Sequence, residues 1–259
     1  MDNDFNWEWF IKKFEIMSNI NLTAYKRPQM ERRINSFMRT ANVANYQDFV
    51  DVLGRDKETY RRFLEHITIN VSEFFRNLNH WEVMEKQIIP SLLKERGSLK
   101  IWSAGCSTGE EPYSLAMLFK ERRFNLNDKI LATDIDNEVL EKAGIGLYTI
   151  KAMQGIPADW QSKYFTRQGN YFQIVDEMKK MIKFQQHDLL RDPFPKEYDI
   201  ILCRNVVIYF TEETKAKLYQ RFSDSLKPGG VLFIGSTEQI FQARDVGLKS
   251  IATFFYQKD

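Results

Sequence analysis

The residues best suited to chemistry lie in one short segment, where small residues separate an apolar stretch from an amphipathic one. Leu99–Trp102 is short and apolar, as a buried strand is, and Ser103–Gly109 consists of small residues. Gly105 and Gly109 let the backbone turn tightly and let a ligand lie against the main chain without meeting a Cβ atom. An amphipathic segment begins at Glu110. The spacing therefore predicts a strand, a glycine turn and a helix, the first unit of a nucleotide-binding α/β sheet.

Two acidic residues at the start of the predicted helix discriminate between ligands. The helix dipole favours Glu110 and Glu111 there, and Pro112 is tolerated because first-turn amides have no helical partner. The pyrophosphate of a dinucleotide would need those same amides and would be repelled by the two carboxylates. S-adenosylmethionine carries a sulfonium cation and no phosphate, so the loop favours it over NAD. A tight turn without a ligand is the alternative interpretation.

Further candidate binding residues lie on either side of this unit. Asp134 follows Lys129–Thr133, a second predicted strand, and an acid at that place binds ribose hydroxyls in Rossmann-type sites. Asn70, Ser72 and Arg76 are set among apolar residues before the glycine turn. Arg76 is suited either to bind a carboxylate through two parallel hydrogen bonds or to form a salt bridge between domains. The spacing does not choose between the two.

Cysteine and histidine chemistry is disfavoured. Cys106 lies near a helix N-terminus, which lowers a thiol pKa, but no base is apparent beside it, and we interpret it as a small buried residue. His66, His80 and His187 have no paired ligand spacing, and Cys106 and Cys203 form no CxxC motif. The sequence therefore predicts no metal site.

The other elements predict an open, mostly parallel α/β sheet that positions these residues. Further strands are predicted at Ile182–Gln186, Tyr198–Cys203, Val231–Gly235 and, as a final pair, within Lys249–Gln257. Residues 1–75 have helical patterns, including a helix at Pro28–Ala41, and predict an N-terminal helical domain. Residues 76–259 are predicted to form the sheet domain. Within it, residues 145–181 are aromatic and polar, with only a weak alternation of apolar and polar residues, and they predict a small inserted subdomain.

One basic segment stands out from a balanced chain. The segment from Lys26 to Arg39 contains one acidic residue, Glu31, and five basic residues, namely Lys26, Arg27, Arg32, Arg33 and Arg39. Such a cluster is either a solvated helix face or a docking surface for an acidic partner.

Bulk properties exclude several classes of protein. The net charge is +2, from 37 basic and 35 acidic residues, and does not favour nucleic acid as a partner. Two cysteines in 259 residues argue against a disulfide scaffold. The N-terminal residues lack the pattern of a signal peptide, and no apolar run approaches the roughly 20 residues of a membrane span. We therefore expect a cytoplasmic protein.

Five motifs occur in order along the chain: ITINVSEFFR at 67–76, IWSAGCSTGEEPYSLA at 101–116, ATDIDNEVLEKA at 132–143, CRNVVIYF at 203–210 and LKPGGVLFIGSTE at 226–238. Together they resemble the CheR family of chemotaxis-receptor glutamate methyltransferases, over nearly the whole chain. The resemblance implies a Rossmann-like class I methyltransferase sheet with a small all-helical N-terminal domain and a small inserted subdomain. It also implies S-adenosylmethionine as cofactor, S-adenosylhomocysteine as product, and glutamate side chains on the cytoplasmic helical bundle of methyl-accepting chemotaxis proteins as substrate.

The resemblance also assigns roles to individual residues. Those implied to bind the cofactor are Asn70, Ser72, Arg76, Gly105, Glu110, Asp134, Asp188, Leu189, Arg204 and Asn205. Glu110 would face the methionine end, Asp134 the ribose, and Asp188 and Leu189 the adenine, with Arg204 and Asn205 beside the sulfonium. In catalysis Arg76 would orient the substrate carboxylate. Tyr209 would position the acceptor through its hydroxyl or, alternatively, only pack beneath the helix that starts at Thr211.

One stretch departs from the family pattern. Members that dock on a receptor's C-terminal pentapeptide have a glycine-rich loop in the inserted subdomain, whereas Phe165–Val175 contains only Gly169. This argues against pentapeptide tethering and in favour of docking through the basic segment. A nucleic-acid methyltransferase is disfavoured because Arg204–Val207 lacks the proline pair that such enzymes carry after the fourth strand. A receptor-binding adaptor that kept the fold but lost catalysis is the alternative function.

Overall fold

The computed structural model describes residues 3–68 and 70–259, with side chains from residue 6 onward. The chain divides into two compact units, Met1–Ile69 with Tyr209–Ala216 and Asn70–Ile208 with Lys217–Asp259. The sequence predicts the boundary at residue 75. Phe74 and Phe75 instead group with the larger unit because both are buried in its hydrophobic core.

The smaller unit is built from helices around an aromatic core. Its helices are α1 (Asn3–Ser18), α2 (Arg27–Thr40), α3 (Tyr46–Arg55) and α4 (Lys57–Ile67), with a 3-10 turn at Leu22–Ala24. The side chains of Asn45 and Asp56 cap α3 and α4 by accepting amides of their first turns. Phe49 is fully buried, with its ring centroid 4.9 Å from that of Phe63.

The helix predicted at Pro28–Ala41 is confirmed as α2. Its residues Met30, Ile34, Phe37 and Met38 are all buried. Their spacing of three to four residues places them on one face, which leaves Arg32 and Arg39 exposed on the other side of the helix.

The larger unit alternates strands and helices. Its elements in chain order are α5 (Leu78–Val83), a π-helical turn (Met84–Ile88), α6 (Ile89–Arg96), β1 (Ile101–Ala104), α7 (Glu110–Arg122), β2 (Ile130–Asp134), α8 (Asn137–Ile145), β3 (Leu147–Thr149), a 3-10 helix (Ile150–Gly155), α9 (Ala158–Tyr164), β4 (Phe165–Gln168), β5 (Tyr171–Ile174), α10 (Asp176–Lys180), β6 (Ile182–Gln186), β7 (Tyr198–Cys203), a 3-10 turn (Val207–Tyr209), α11 (Glu212–Ser225), β8 (Leu226–Ile234), a 3-10 turn (Ala243–Val246), β9 (Leu248–Ala252) and β10 (Phe255–Lys258). Tyr209 and the first residues of α11, through Ala216, group with the smaller unit. Among the described helices none has the length and hydropathy needed to cross a bilayer.

The main sheet confirms the predicted open, mostly parallel α/β architecture. In the described part of the chain its strands lie in the order β6-β2-β1-β7-β8-β10-β9. The first five are parallel to their neighbours, and β10 runs antiparallel to both β8 and β9. β1 and β7 are buried along their whole length, as central parallel strands are.

The order of the strands creates a crevice at one edge of the sheet. After β1 the chain proceeds outward through β2 to β6 and then returns to pair β7 with the other side of β1. The direction of winding therefore reverses between β1 and β7, and open α/β sheets bind ligands beyond the carboxyl ends of the strands at such a point. Gly105 follows β1 and Arg204 follows β7, so both lie at this crevice.

The inserted segment forms a small antiparallel sheet with the order β3-β5-β4. Gly169, with a φ of +59°, lies in the turn that joins β4 to β5. One side of this sheet is buried through Tyr148, Phe165 and Ile174, whereas Tyr171 on β5 is half-exposed. The alternation along these strands is weak because each has only three or four residues.

Candidate functional site

A cleft opens at the carboxyl ends of β1 and β7, within the larger unit. The residues that line it are Val71, Ser72, Glu73, Arg76, Gly105, Ser107, Glu111, Arg204 and Asn205. The sequence predicts Ser72, Arg76, Gly105, Arg204 and Asn205 as binding residues, and the fold brings these five together from three separate parts of the chain. The cleft is polar except for Val71, whose side chain is exposed.

The glycine turn after β1 approaches the segment after β7 very closely. Gly105 has a φ of +79°, and a Cβ atom added to it would lie 2.4 Å from Cγ2 of Val206. The amides of Gly105 and Cys106 both donate to the carbonyl oxygen of Thr133, at 2.8 and 2.9 Å. Glycine is therefore required here both for its backbone conformation and for lack of space.

Asp134 holds this turn from the end of β2. Its Oδ2 accepts a hydrogen bond from the amide of Ser107 at 2.8 Å, and its Oδ1 accepts one from the amide of Asp136 at 3.1 Å. Burial raises the pKa of the Asp134 carboxyl, and the amide hydrogen bonds oppose that rise. Nearby, Nδ2 of Asn70 donates to Oδ2 of Asp136 at 3.1 Å. The contact of Asp134 with a ribose stays a prediction.

A buried ion pair joins the start of α7 to the end of β7. Nη1 of Arg204 donates to Oε2 of Glu111 at 3.3 Å, and Oγ of Ser103 donates to Oε1 at 2.8 Å. Nη2 of Arg204 donates to the carbonyl oxygen of Arg76 at 2.7 Å, and the guanidinium lies 4.5 Å from the ring centroid of Phe233. Desolvation raises the pKa of Glu111 and lowers that of Arg204, while each charge opposes the shift of the other.

Glu110 is also buried but is held differently. The Thr108 hydroxyl oxygen lies 2.9 Å from Oε1 and 2.7 Å from Oε2 of Glu110, and the hydroxyl can donate a hydrogen bond to either oxygen. Burial raises the pKa of Glu110, and hydrogen bonds from Thr108 and Ser72 oppose the rise. The two adjacent acids therefore have separate partners.

Asn205, which follows β7, lines the cleft, and Glu238, which follows β8, holds the backbone beside it. Asn205 has a φ of +59°, and its Oδ1 is buried without a partner in the described part of the chain. Oε1 of Glu238 accepts the amide of Val207 at 3.1 Å, and Oε2 accepts that of Gly235 at 2.5 Å. Burial raises the pKa of Glu238. Sequence reasoning misses Glu238, although an acid shortly after the end of a parallel strand is a usable signal.

Arg76 keeps most of its hydrogen-bonding capacity. Its Nη1 donates one long hydrogen bond, 3.5 Å, to the carbonyl oxygen of Val71, and it forms no ion pair with any described residue. Its side chain lines the cleft and is partly exposed. A guanidinium in this state has donors available for an anionic group.

The predicted adenine residues lie in a turn after β6, at the same edge of the sheet. Oδ1 of Asp188 accepts the amide of Leu190 at 2.8 Å, and the amide of Asp188 donates to Asp192 at 2.8 Å. Arg221 donates to the carbonyl oxygens of Leu189 and Asp192. The turn is thus well held, but Asp188 and Leu189 do not line the cleft described above, and their contact with adenine stays a prediction.

Tyr209 belongs to the smaller unit, where it lines a groove with residues of the basic segment. The lining residues are Tyr25, Lys26, Gln29, Met30, Arg32, Arg33 and Tyr209. The amide of Lys26 donates to the carbonyl oxygen of Tyr209 at 2.8 Å. The catalytic role assigned to Tyr209 stays a prediction.

Cys106 is buried, as the sequence predicts. Cys106 is almost completely buried, and burial raises its thiol pKa well above the ordinary value, which outweighs the effect of the helix N-terminus. A raised pKa disfavours the thiolate, which fits the interpretation of Cys106 as a buried packing residue.

Three polar atoms of the cleft residues point to a polar ligand. Oγ of Ser107, Nε of Arg204 and Oδ1 of Asn205 are buried and have no hydrogen-bond partner among the described residues. Buried polar atoms are nearly always paired, so these atoms fit a ligand with both donors and acceptors.

Comparison with known proteins defines the class. Residues 70–253 match the CheR methyltransferase, SAM binding domain, and residues 6–68 match the CheR methyltransferase, all-alpha domain. With the strand order described above, this defines an S-adenosylmethionine-dependent methyltransferase of the class I fold. The chain belongs to the CheR methyltransferase family, as its five motifs indicate.

Several curated relatives extend over almost the whole chain. A chemotaxis protein methyltransferase of Listeria innocua is 46% identical over 240 residues, which are 92% of each protein. One of Listeria monocytogenes is 45% identical over 240 residues, again 92% of each. One of Borreliella burgdorferi is 35% identical over 235 residues, 85% of this chain and 83% of that protein.

S-adenosylmethionine is the cofactor, as predicted. The cleft residues fit it: it carries an amino and a carboxylate group, ribose hydroxyls and a sulfonium, and the cleft provides unpaired donors and acceptors together with buried carboxylates. An anionic neighbourhood suits the sulfonium and disfavours a pyrophosphate.

We expect substitution of Asn205 to separate its backbone role from its side-chain role. Asn205→Gly keeps the positive φ but loses the unpaired Oδ1, so the Kd of S-adenosylhomocysteine should rise about 3- to 10-fold, the equivalent of one hydrogen bond. Asn205→Ala should weaken binding similarly and also lower the Tm, because alanine is strained at this φ. Titration calorimetry and thermal unfolding measure the two effects.

The matched control is Asn42→Gly, which replaces another asparagine with positive φ, 56°, in the smaller unit. Its Kd should equal that of the wild type. Unchanged binding in Asn205→Gly would show that the Asn205 side chain does not contact the cofactor.

Proposed function

We propose that the protein is a protein-glutamate O-methyltransferase that esterifies glutamate side chains on the cytoplasmic domains of methyl-accepting chemotaxis receptors. Relatives named chemotaxis protein methyltransferase support the role in chemotaxis. The observation that carries the proposal is Arg76, a guanidinium with free donors in the cofactor cleft. A cation there suits an acceptor that is a carboxylate.

The chemistry places modest demands on the protein. A glutamate carboxylate is ionised near neutral pH, so no general base is required. The bound cofactor supplies a methyl group on a sulfonium, an electrophile for the carboxylate. Charge is lost as the methyl group transfers, so the cleft acts by aligning the acceptor and by excluding water from it. Arg76 would orient the carboxylate through parallel hydrogen bonds.

The cofactor would be held by residues from each wall of the cleft and from the neighbouring strand ends. We assign this role to Asn70, Ser72, Arg76, Gly105, Glu110, Asp134, Asp188, Leu189, Arg204 and Asn205. The Glu111–Arg204 pair is internally neutralised, so Arg204 would contribute its unpaired Nε without adding an uncompensated positive charge beside the sulfonium.

Docking of the receptor would use the basic segment of the smaller unit. Arg32 and Arg39 are exposed and form no ion pair with any described residue, whereas Arg27 pairs with Glu31 at 3.1 Å and Arg33 donates to the carbonyl oxygen of His66. Lys26 lies 3.6 Å from a carboxylate oxygen of Glu212. An acidic helical bundle would be attracted chiefly by Arg32 and Arg39.

The groove beside these residues supports a role for Tyr209 in positioning the methyl acceptor. Arg32 lines it together with Tyr209, so an acidic segment bound to Arg32 would run beside Tyr209. We infer that Tyr209 positions the segment that carries the acceptor glutamate.

We expect radiolabel from methyl-labelled S-adenosylmethionine to be transferred to receptor-containing membranes and released as methanol by mild alkali. A carboxyl methyl ester hydrolyses under these conditions, whereas an N-methyl group does not. Alkali-stable label would overturn the glutamate assignment and leave the methyltransferase assignment intact. Bound S-adenosylhomocysteine with no label transfer would indicate the adaptor.

Arg76→Ala should lower kcat/KM for the receptor about 10- to 100-fold, the value of a hydrogen bond to a charged group. Arg76→Lys should recover only part of this loss, because lysine cannot form two parallel hydrogen bonds. Steady-state methylation at varied receptor concentration measures both. Arg62→Ala, at an exposed arginine of α4, is the control, and turnover of Arg76→Ala equal to that of the wild type would refute the role.

The double variant R32E/R39E should raise the KM for the receptor at least 10-fold at low salt, since like charges then face the acidic bundle, and kcat should change little. The effect should shrink as ionic strength rises. The double variant R55E/R62E makes the same change of charge at exposed positions of α3 and α4. Equal KM values for the two double variants would remove the basic segment as the docking surface.

A further inference from the structure

A tyrosine of the inserted subdomain reaches the glycine turn of the cofactor cleft. Tyr148 lies in the middle of β3 and is buried. Its hydroxyl donates to the carbonyl oxygen of Thr108 at 2.8 Å. Burial raises its pKa well above the ordinary value, so the hydroxyl stays protonated and remains a donor.

The atom that Tyr148 holds is central to the turn. Thr108 uses its own hydroxyl to hold the carboxyl group of Glu110, at 2.7 Å from Oε2. The next residue, Gly109, has a φ of +93°, and a Cβ atom added there would lie 3.2 Å from the hydroxyl oxygen of Tyr148. The tyrosine hydroxyl therefore restrains the turn at the point where it enters α7.

The ring of Tyr148 also supports the segment on the opposite wall of the cleft. It packs edge to face on Phe74, with the ring centroids 4.8 Å apart and an interplanar angle of 75°. Phe74 lies between Ser72 and Arg76 in sequence, and the amide of Phe75 donates to Oγ of Ser114 at 3.0 Å. One buried side chain thus contacts two of the segments that line the cleft.

The inserted subdomain has a second close contact with this segment. A Cβ atom added to Gly155 would lie 2.2 Å from the carbonyl oxygen of Phe74. Phe165 of β4 also packs perpendicular to Phe74, with centroids 5.6 Å apart. The subdomain therefore packs against two of the segments that line the cofactor cleft.

We propose that Tyr148 is a positioning residue for cofactor binding, through which the inserted subdomain holds the glycine turn and the Ser72–Arg76 segment in the conformation that binds S-adenosylmethionine. The inference depends on the cofactor and not on the identity of the methyl acceptor. Its test therefore measures binding without any receptor, and its failure is distinguishable from failure of the proposed glutamate chemistry.

Tyr148→Phe should raise the Kd of S-adenosylhomocysteine about 5- to 10-fold at 10 °C, well below the Tm, because the ring contact is kept and the hydrogen bond to the turn is lost. Tyr171→Phe removes a half-exposed hydroxyl on the neighbouring strand β5 and should leave the Kd unchanged. Titration calorimetry gives both values. A Tyr148→Phe variant with a lower Tm and the Kd of the wild type would reduce Tyr148 to a purely structural residue and overturn the proposal.

A double-mutant cycle measures the coupling between Tyr148 and Thr108 in their effects on Kd, which general destabilisation of the protein would not produce. Thr108→Val removes the hydroxyl that holds Glu110, so its effect on Kd should be less than additive with that of Tyr148→Phe if both act on the same turn. Additive effects would contradict the proposal.

Hydrogen exchange of the wild-type protein tests the same link without any substitution. Saturating S-adenosylhomocysteine should slow amide exchange in Leu147–Thr149 together with residues 105–110. Protection confined to residues 105–110 would overturn the coupling, even if the Tyr148 variant fails to fold.

Discussion

The buried pairing of Arg204 with Glu111 is the interaction on which the cleft depends. Removing two charges from water is costly, and the cost is offset where the two charges are close and further hydrogen bonds hold them. Arg204, at the end of β7, binds two other chain segments: the start of α7 through Glu111, and the Ser72–Arg76 segment through the carbonyl oxygen of Arg76. The start of α7, the end of β7 and the Ser72–Arg76 segment are thus held together by this one guanidinium.

Much of the fold is predictable because burial leaves a strong pattern. β6 and β7 match their predicted bounds residue for residue, and the helix at α2 is displaced by a single residue at each end. The segment after α8 is harder, because strands of three or four residues give little alternation and their pairing is set by contacts distant in sequence, such as that of Tyr148 with Phe74. The boundary between the units is hard to predict for a similar reason. The local sequence around Phe74 and Phe75 does not indicate which of the two cores buries them.

The candidate site shows a different limit. Residue types at strand ends predict which side chains gather there, and Ser72, Arg76, Gly105, Arg204 and Asn205 do gather. Partners are less predictable. Glu111 has a sufficient local explanation in the helix dipole, which conceals its ion pair with a residue far along the chain. Glu238 has no local signal beyond its place after β8, yet it accepts two backbone amides that shape the wall of the cleft.

The buried carboxyl groups around the cleft also make folding a proton-linked reaction. Glu110, Glu111, Asp134 and Glu238 each have a pKa raised above the ordinary 4.5 or 3.8 by burial. Between the ordinary and the raised value the folded chain binds more protons than the unfolded chain, so the contribution of these groups to stability is present at lower pH and is lost as the pH rises through the raised pKa. Ionisation of these groups as the pH rises therefore opposes the fold that contains them, and a positively charged ligand beside them would relieve that opposition.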